Sequence, residues 1–326
     1  MSGPPAPGRR ETHAEWLALL RLGGIRLAGG AFVLWAVATL TFIAMRQMPG
    51  DPALAILGGI SPTPQAIAEV TREYGLDQPL FVQYGRYLSD LLQGHLGISY
   101  AQRLPVSQII AEQSGATLQL VAASLFTTWV LVLLWTLTTT GRGRWIAGIG
   151  ATVETIAAAV PPFWLAIVLL ATFAFGLRLF PAAGSDGVRT LVLPALALGL
   201  PLAGFVGQVT REALVVTLEQ PFILSARMRG ASDWSVRWRH ALRHSLLPGV
   251  SLSGWAIGAL IGGTVVIEVI FSRKGLGRQL YQAVQSQDAP LVIGITLVIA
   301  TSYVIANILV DLLYHIIDPR LRKDDQ

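Results

Sequence analysis

Residues 211–248 read REALVVTLEQPFILSARMRGASDWSVRWRHALRHSLLP, and this stretch decides how the rest of the chain is read. It carries six arginines and two histidines, with Ala226-Arg227-Met228-Arg229-Gly230-Ala231 at its centre. Apolar runs flank it at 191–209 and 246–270, each near the ~20 residues that cross a bilayer core. Working outward, further runs of this kind occupy 27–45, 117–137, 145–175 and 290–317. The expectation is an all-α integral membrane protein with six transmembrane helices.

The totals agree. Of 326 residues, 53% are hydrophobic and 13% charged, about half the charge of an ordinary soluble protein. The absence of cysteine excludes a disulfide framework, a thiolate metal site and a cysteine nucleophile. A net charge of +5 reads here as Lys and Arg holding loops in the cytoplasm, not as a sign of a nucleic-acid partner. The bilayer is the partner that composition implies.

The start is Pro/Gly-rich, then basic at Arg9, Arg10, Arg21 and Arg26. A basic segment before an apolar run suits a cleavable signal peptide, but 27–45 is long and no small-x-small site leads into a soluble domain, so it reads as a retained first helix. The third run is too long for one span and contains Pro161-Pro162, which predicts a break. The fourth carries Pro194, Pro201 and three glycines, tolerated in membrane helices packed among neighbours.

Charge fixes the expected orientation. With the N-terminus inside, the cytoplasmic side holds Arg9, Arg10, Arg21, Arg26, Arg142, Arg144, the six arginines of the central stretch, Arg320, Arg322 and Lys323. The other side holds nine, including Arg273, Lys274 and Arg278, over longer loops. Both termini are therefore expected in the cytoplasm. The resulting division is a cytoplasmic segment 1–26, a six-helix membrane body 27–317 with an extracytoplasmic loop 47–116 and a cytoplasmic loop 211–248, and a tail 318–326. Within the outer loop, Pro49-Gly50-Asp51-Pro52 signals a turn, 65–74 a short helix, Gly75 a second breaker and 83–92 another helix.

No G-x-x-x-x-G-K-[ST] occurs, so any ATP use must come from another chain. Of five histidines only His240 and His244 have i, i+4 spacing, and the arginines around them disfavour a metal ion. Ionisable groups inside spans are functional candidates by default: Glu154, Glu268 and Asp311. Glu154, deep in its span, suits a pathway or a structural role equally; Glu268 and Asp311, near helix ends, favour the structural one.

In the central stretch, Gln220-Pro221 ends the fourth helix and 222–229 predicts a short amphipathic helix. Gly230 permits a sharp turn. Asp233 is expected to cap a further helix over 234–247 that Pro248 closes. A short helix across a membrane face is a handle for a partner. The bland reading is a basic loop on anionic headgroups; the small residues Ala226, Gly230 and Ala231 among arginines favour docking into a groove.

These residues resemble the inner-membrane permease subunits of bacterial ABC importers for dipeptides, oligopeptides and nickel. Ala226-Arg227-Met228-Arg229-Gly230, followed by His240-Ala241-Leu242-Arg243-His244-Ser245-Leu246-Leu247-Pro248, is similar to that family's "EAA" loop, A-R-A-K-G followed by H-A-L-R-N-A-L-L-P. Arg46-Gln47-Met48-Pro49-Gly50-Asp51-Pro52 resembles its R-x-x-P-G-D-P, and Tyr74-Gly75-Leu76-Asp77-Gln78-Pro79-Leu80 its L-G-L-D-x-P-L. Glu268-Val269-Ile270-Phe271, then Gly275-Leu276-Gly277, resembles its E-x-x-F-x-x-P-G-L-G. Departures are Arg229 for lysine and Arg273-Lys274 where the family often has a hydrophobic residue and proline. The latter bears on contact with a binding protein.

The resemblance implies a non-catalytic translocation subunit in the bacterial inner membrane, paired with a second homologous permease, two cytoplasmic ATPases and an extracytoplasmic solute-binding protein. It implies no cofactor in this chain, with ATP and Mg on the ATPases, and an ATPase-coupling helix at Ser225, Ala226, Arg227, Met228, Arg229, Gly230, Ala231 and Asp233. Peptide is the expected cargo, with nickel or a metal chelate the alternative. An ion-coupled secondary transporter predicts inverted repeats, and none are seen.

Overall fold

The computed structural model describes residues 9–47, 51–57 and 62–317. The tail, the turn at Pro49-Gly50, most of the first segment's side chains and the side chain of Asp311 lie outside the described residues. The described chain is helical: α1 Arg9–Gln47, α2 Pro52–Leu57, α3 Pro64–Glu73, α4 Leu80–Leu92, α5 Val106–Thr139, α6 Arg144–Ala159, α7 Pro162–Leu169, α8 Arg189–Leu218, α9 Pro221–Met228, α10 Asp233–Ser235, α11 Leu242–Ile270, α12 Leu276–Gln285 and α13 Ala289–Ile317. Two π-helical stretches extend them, Leu170–Gly176 after α7 and Val236–Ala241 joining α10 to α11.

Five helical runs are long and apolar enough to cross a membrane: Arg26–Gln47, Val106–Thr139, Arg189–Leu218, Asp233–Ile270 and Ala289–Leu309. The sixth expected span, 145–175, is a broken one. Arg144–Ala159 and Pro162–Gly176 meet at 99°. Pro161 stands just before α7 and Pro162 at its first position, so the α6 hydrogen-bond ladder cannot continue through them.

Helix α8 is the axis, with 72% of its apolar window buried against 6% for the first span. Small residues make this possible. A Cβ on Gly199 would stand 2.8 Å from the Ser124 carbonyl oxygen of α5, and one on Gly204 would overlap the α6 backbone at Ala158. Close backbone approach of this kind, with dispersion contacts along it, drives helix association where lipid removes the hydrophobic term. Leu193, Ala197, Val206, Leu120, Val132 and Ile267 fill the core around α8. By contrast α1 exposes Leu27, Phe32, Trp35 and Leu40, the dress of a lipid-facing helix.

Several boundaries differ from the sequence expectation. Helix α5 begins at Val106, well before the apolar run at Thr117. Its first turns are amphipathic: Val106, Ile109 and Ile110 pack on Leu276, Leu291 and Ile295, while Gln108 and Glu112 face out. No separate helix ends at Pro248, which instead lies inside α11. The run from Asp233 to Ile270 is continuous, with a π-helical stretch near its start. Asp233 is not the cap either; Ser232 is, its hydroxyl accepting from Ser235 N at 3.3 Å. In the segment between α1 and α5, Thr63 caps α3, accepting from Ala66 N, and Gly75 turns the chain at φ +61°.

Candidate functional site

The centre of the opening stretch is α9 and its exit turn. Pro221 occupies the first helical position, where its missing N–H is not needed. Ile223 and Ala226, three residues apart and so on one face, are buried against Leu137, Leu214, Val236, Ala241 and Leu242. Burying an aliphatic side chain such as Ile223 contributes roughly 1.5–3 kcal/mol, which seats the helix firmly. At its end, Gly230 N donates to Arg227 O at 2.9 Å and Ala231 N to Ala226 O at 3.2 Å, the paired bonds of a glycine-terminated helix. Gly230 has φ +84°, a conformation that favours glycine.

The small residues Ala226 and Ala231 therefore turn toward the chain's own bundle. What α9 presents outward is Leu224 at 63% and Met228 at 82% exposure, four residues apart, with Ser225, Arg227 and Arg229 around them. Arg227 meets Asp233 at 3.6 Å, an exposed pair worth little. His244 is committed elsewhere, its ring 5.1 Å from that of Phe222 and accepting from Arg243 Nε.

Glu154 is not free. It is buried, and Arg211 of α8 grips it in a fork, Nε donating to Oε2 at 2.6 Å and Nη2 to Oε1 at 2.8 Å. Two further donors of Arg211 go to Thr139 Oγ1 at 2.6 Å and Thr140 Oγ1 at 3.0 Å, and Thr136 donates to Glu154. This network ties α5, α6 and α8 at the end that carries α9. Charge counting had placed Arg211 in a loop; its partner, far away in sequence, turns it inward.

At the other end, Glu268 is fully buried and accepts from Thr117 Oγ1 at 2.7 Å, Gly277 N at 2.8 Å and Arg278 N at 3.1 Å. Its carboxylate caps the N-terminus of α12, where the helix dipole favours negative charge. Gly275 makes room for it, since a Cβ there would overlap the carboxyl. Arg273 is also fully buried, reaching Gln119 Oε1 of α5 at 3.0 Å and Thr190 Oγ1 of α8 at 3.5 Å. Burial pushes its guanidinium below the usual arginine range, against the opposing pull of Glu268 and Asp186. Asp288 makes a further buried knot, accepting from Ser99 Oγ and from the backbone of Tyr100 and Ala101. Nothing in the sequence marked Arg211, Arg273 or Asp288 as inward-facing.

Among the described residues, no three or more His, Asp or Glu side chains are placed to hold a metal ion.

Comparison with known proteins adds to this geometry. Residues 132–323 match the family model described as binding-protein-dependent transport system inner membrane component, and 19–121 match that of its N-terminal region. A protein of Brucella abortus (strain 2308) named for a peptide transport system permease is 38% identical over 308 residues, covering 92% of this chain and 98% of that protein. The glutathione transport system permease protein GsiC of Salmonella typhimurium is 34% identical over 300 residues, 91% of this chain and 97% of its own.

Proposed function

The chain belongs to the binding-protein-dependent transport system inner membrane components, the permease subunits of ABC importers, and from that premise we propose that it forms half of a path for peptides and that α9 is its ATPase-coupling helix. Peptide cargo is supported by the names of its relatives. A second permease completes the path, and two ATPases bind ATP and Mg on the cytoplasmic side, which also holds both termini and α9. A solute-binding protein delivers the cargo from the opposite face, where α3, α4 and α12 lie.

The observation that carries the coupling reading is the split of α9 into two faces. Ile223 and Ala226 root it in the bundle, and Leu224 and Met228 stand out as an apolar stripe ringed by arginines. A helix so rooted passes a push on its outer face into α8, which precedes it, and through the continuous run from Asp233 into α11. The cytoplasmic ATPase groove takes the stripe, and Arg227 and Arg229 meet acidic groups at its rim.

The carboxylates also bear on selectivity. Glu154 and Glu268 are spent on Arg211 and on the α12 amides, so neither is left to choose among charged cargo. Selection then rests with the binding protein.

Met228→Glu in the assembled importer tests the coupling role. This side chain is 82% exposed, so the permease stays folded while transport-stimulated ATP hydrolysis falls by an order of magnitude or more, as expected for a charge forced into an apolar interface centre, roughly 2 kcal/mol or above. Unchanged stimulation in a folded complex would overturn the assignment.

A further inference from the structure

The coupling role leaves the next part of the same stretch unused. Residues Val236–Ala241 wind as π-helix, a form that interrupts α-helices mostly at functional positions. Within it Arg237 is only 5% exposed, and its Nε is sealed from solvent with no acceptor among the described residues. The charged groups that act on it are Arg142 in the α5–α6 turn, Arg227 on α9, and Asp233. Asp233 is already shared with Arg227. A buried cation thus faces two others across a single divided acid, an arrangement that calls for an anion. The turn opposite comes close: a Cβ on Gly141, at φ +68°, would stand 4.0 Å from Nη1 and 2.9 Å from Leu218 Cδ1, so only glycine lets this turn approach the guanidinium.

The flanks of Arg237 say where that anion comes from. Trp234 and Trp238 are each half exposed and lie nearly parallel, ring centroids 6.4 Å apart and planes 7° apart. Exposed indoles with one apolar end and one polar end gather at the headgroup level of a bilayer. Arg239 and Arg243, both exposed, continue the basic character of the segment. The protein-facing stripe of Leu224 and Met228 belongs to α9, not to this segment.

We propose that Arg237, with Arg142 beside it, binds the phosphate of an anionic phospholipid, whose glycerol region rests on the Trp234–Trp238 pair. The choice of the cytoplasmic leaflet rests on the orientation proposed above; the site itself does not. One stretch then does two things, α9 meeting the ATPase and the π-helical turn holding lipid.

The test is native mass spectrometry of the purified full-length chain offered phosphatidylglycerol and phosphatidylcholine in equal amounts. The wild type retains phosphatidylglycerol in preference by about fivefold or more, the expected contribution of a cation at the membrane surface. Arg237→Met brings the two lipids to parity, while Arg239→Gln keeps most of the preference. An undiminished preference in Arg237→Met overturns the proposal. So does displacement of the lipid by inorganic phosphate alone, which marks a free-anion site. Should Arg237→Met fail to fold, lipids with brominated chains give the second reading. Brominated phosphatidylglycerol quenches tryptophan fluorescence more than brominated phosphatidylcholine in the wild type, and Trp234→Phe/Trp238→Phe removes the excess; equal quenching by the two lipids in the wild type overturns the site. Met228→Glu retains the lipid preference, so loss of coupling and loss of lipid are separately read.

Discussion

Glu154 and Glu268 are equally deep in the bundle and are satisfied in opposite ways. Glu154, toward the α9 end, is locked to a cation: Arg211 covers both its oxygens, and Thr139 and Thr140 at the end of α5 accept from two more of the arginine's donors. Glu268, toward the α12 end, is surrounded by neutral donors, two of them backbone amides, although Arg273 lies near enough to act on it. The first arrangement fixes helix against helix. The second fixes backbone, holding the chain reversal between α11 and α12 in one shape. An ion pair placed this way is stiff at the end that carries α9, whereas the other end is knit through a turn and a cap.

From that contrast the largest effect is expected at Glu154. Glu154→Ala leaves Arg211 buried without a counter-charge, and breaking a buried pair from one side costs about 3–5 kcal/mol. Thermal unfolding of the solubilised chain should show it as a large drop in midpoint. The double change Glu154→Gln/Arg211→Met should recover much of the loss, because two neutral groups replace an orphaned charge. A mild effect of Glu154→Ala would mean that water reaches Arg211 and that the α9 end is looser than the hydrogen bonds indicate.

How far the sequence alone reaches is clear from the same residues. The apolar runs were legible because composition is a sum over many positions, and the break at Pro161-Pro162 because proline acts locally. The start of α5 was hidden by Gln108 and Glu112, which occupy the outward face of an amphipathic turn whose inward face is Val106, Ile109 and Ile110. Pro248 read as a stop and is instead carried within α11, where neighbouring helices support the ladder around it. Arg211, Arg237 and Arg273 all counted as loop charges. Which arginines turn inward depends on partners such as Glu154, Gln119 and Thr190 that only the fold brings near. For α9 the periodicity located the helix but not which face it hides, so Ala226 read as a docking residue although it is buried against Leu137 and Leu214.

A smaller effect is expected at the other carboxylate. Glu268→Gln keeps the shape and can leave its amide oxygen on Gly277 N and Arg278 N, but its NH2 then faces the Thr117 hydroxyl, which loses its acceptor beside the start of α12. Leaving a buried donor unmatched costs about 1–3 kcal/mol. Hydrogen exchange localises it: the amides at the start of α12 should exchange faster, while those of α9 stay at the wild-type rate. Acceleration at both ends would break the comparison, since it would mean that the two networks form one cooperative unit.

The smallest effect separates the two turns. Gly230 after α9 and Gly275 before α12 both have positive φ, but their surroundings differ: nothing lies within 4 Å of a Cβ placed on Gly230, and the Glu268 carboxyl occupies that place at Gly275. Gly230→Ala therefore suffers the conformational penalty alone, about 1–2 kcal/mol for a left-handed residue, and Gly230→Asn less, because asparagine tolerates that region. Unfolding midpoints should rank wild type, Asn, then Ala, with transport-stimulated ATP hydrolysis preserved in both variants. If hydrolysis collapses while the midpoint moves little, the open space beside Gly230 is space that the ATPase itself fills, and the docking surface of α9 extends past Met228 to its exit turn.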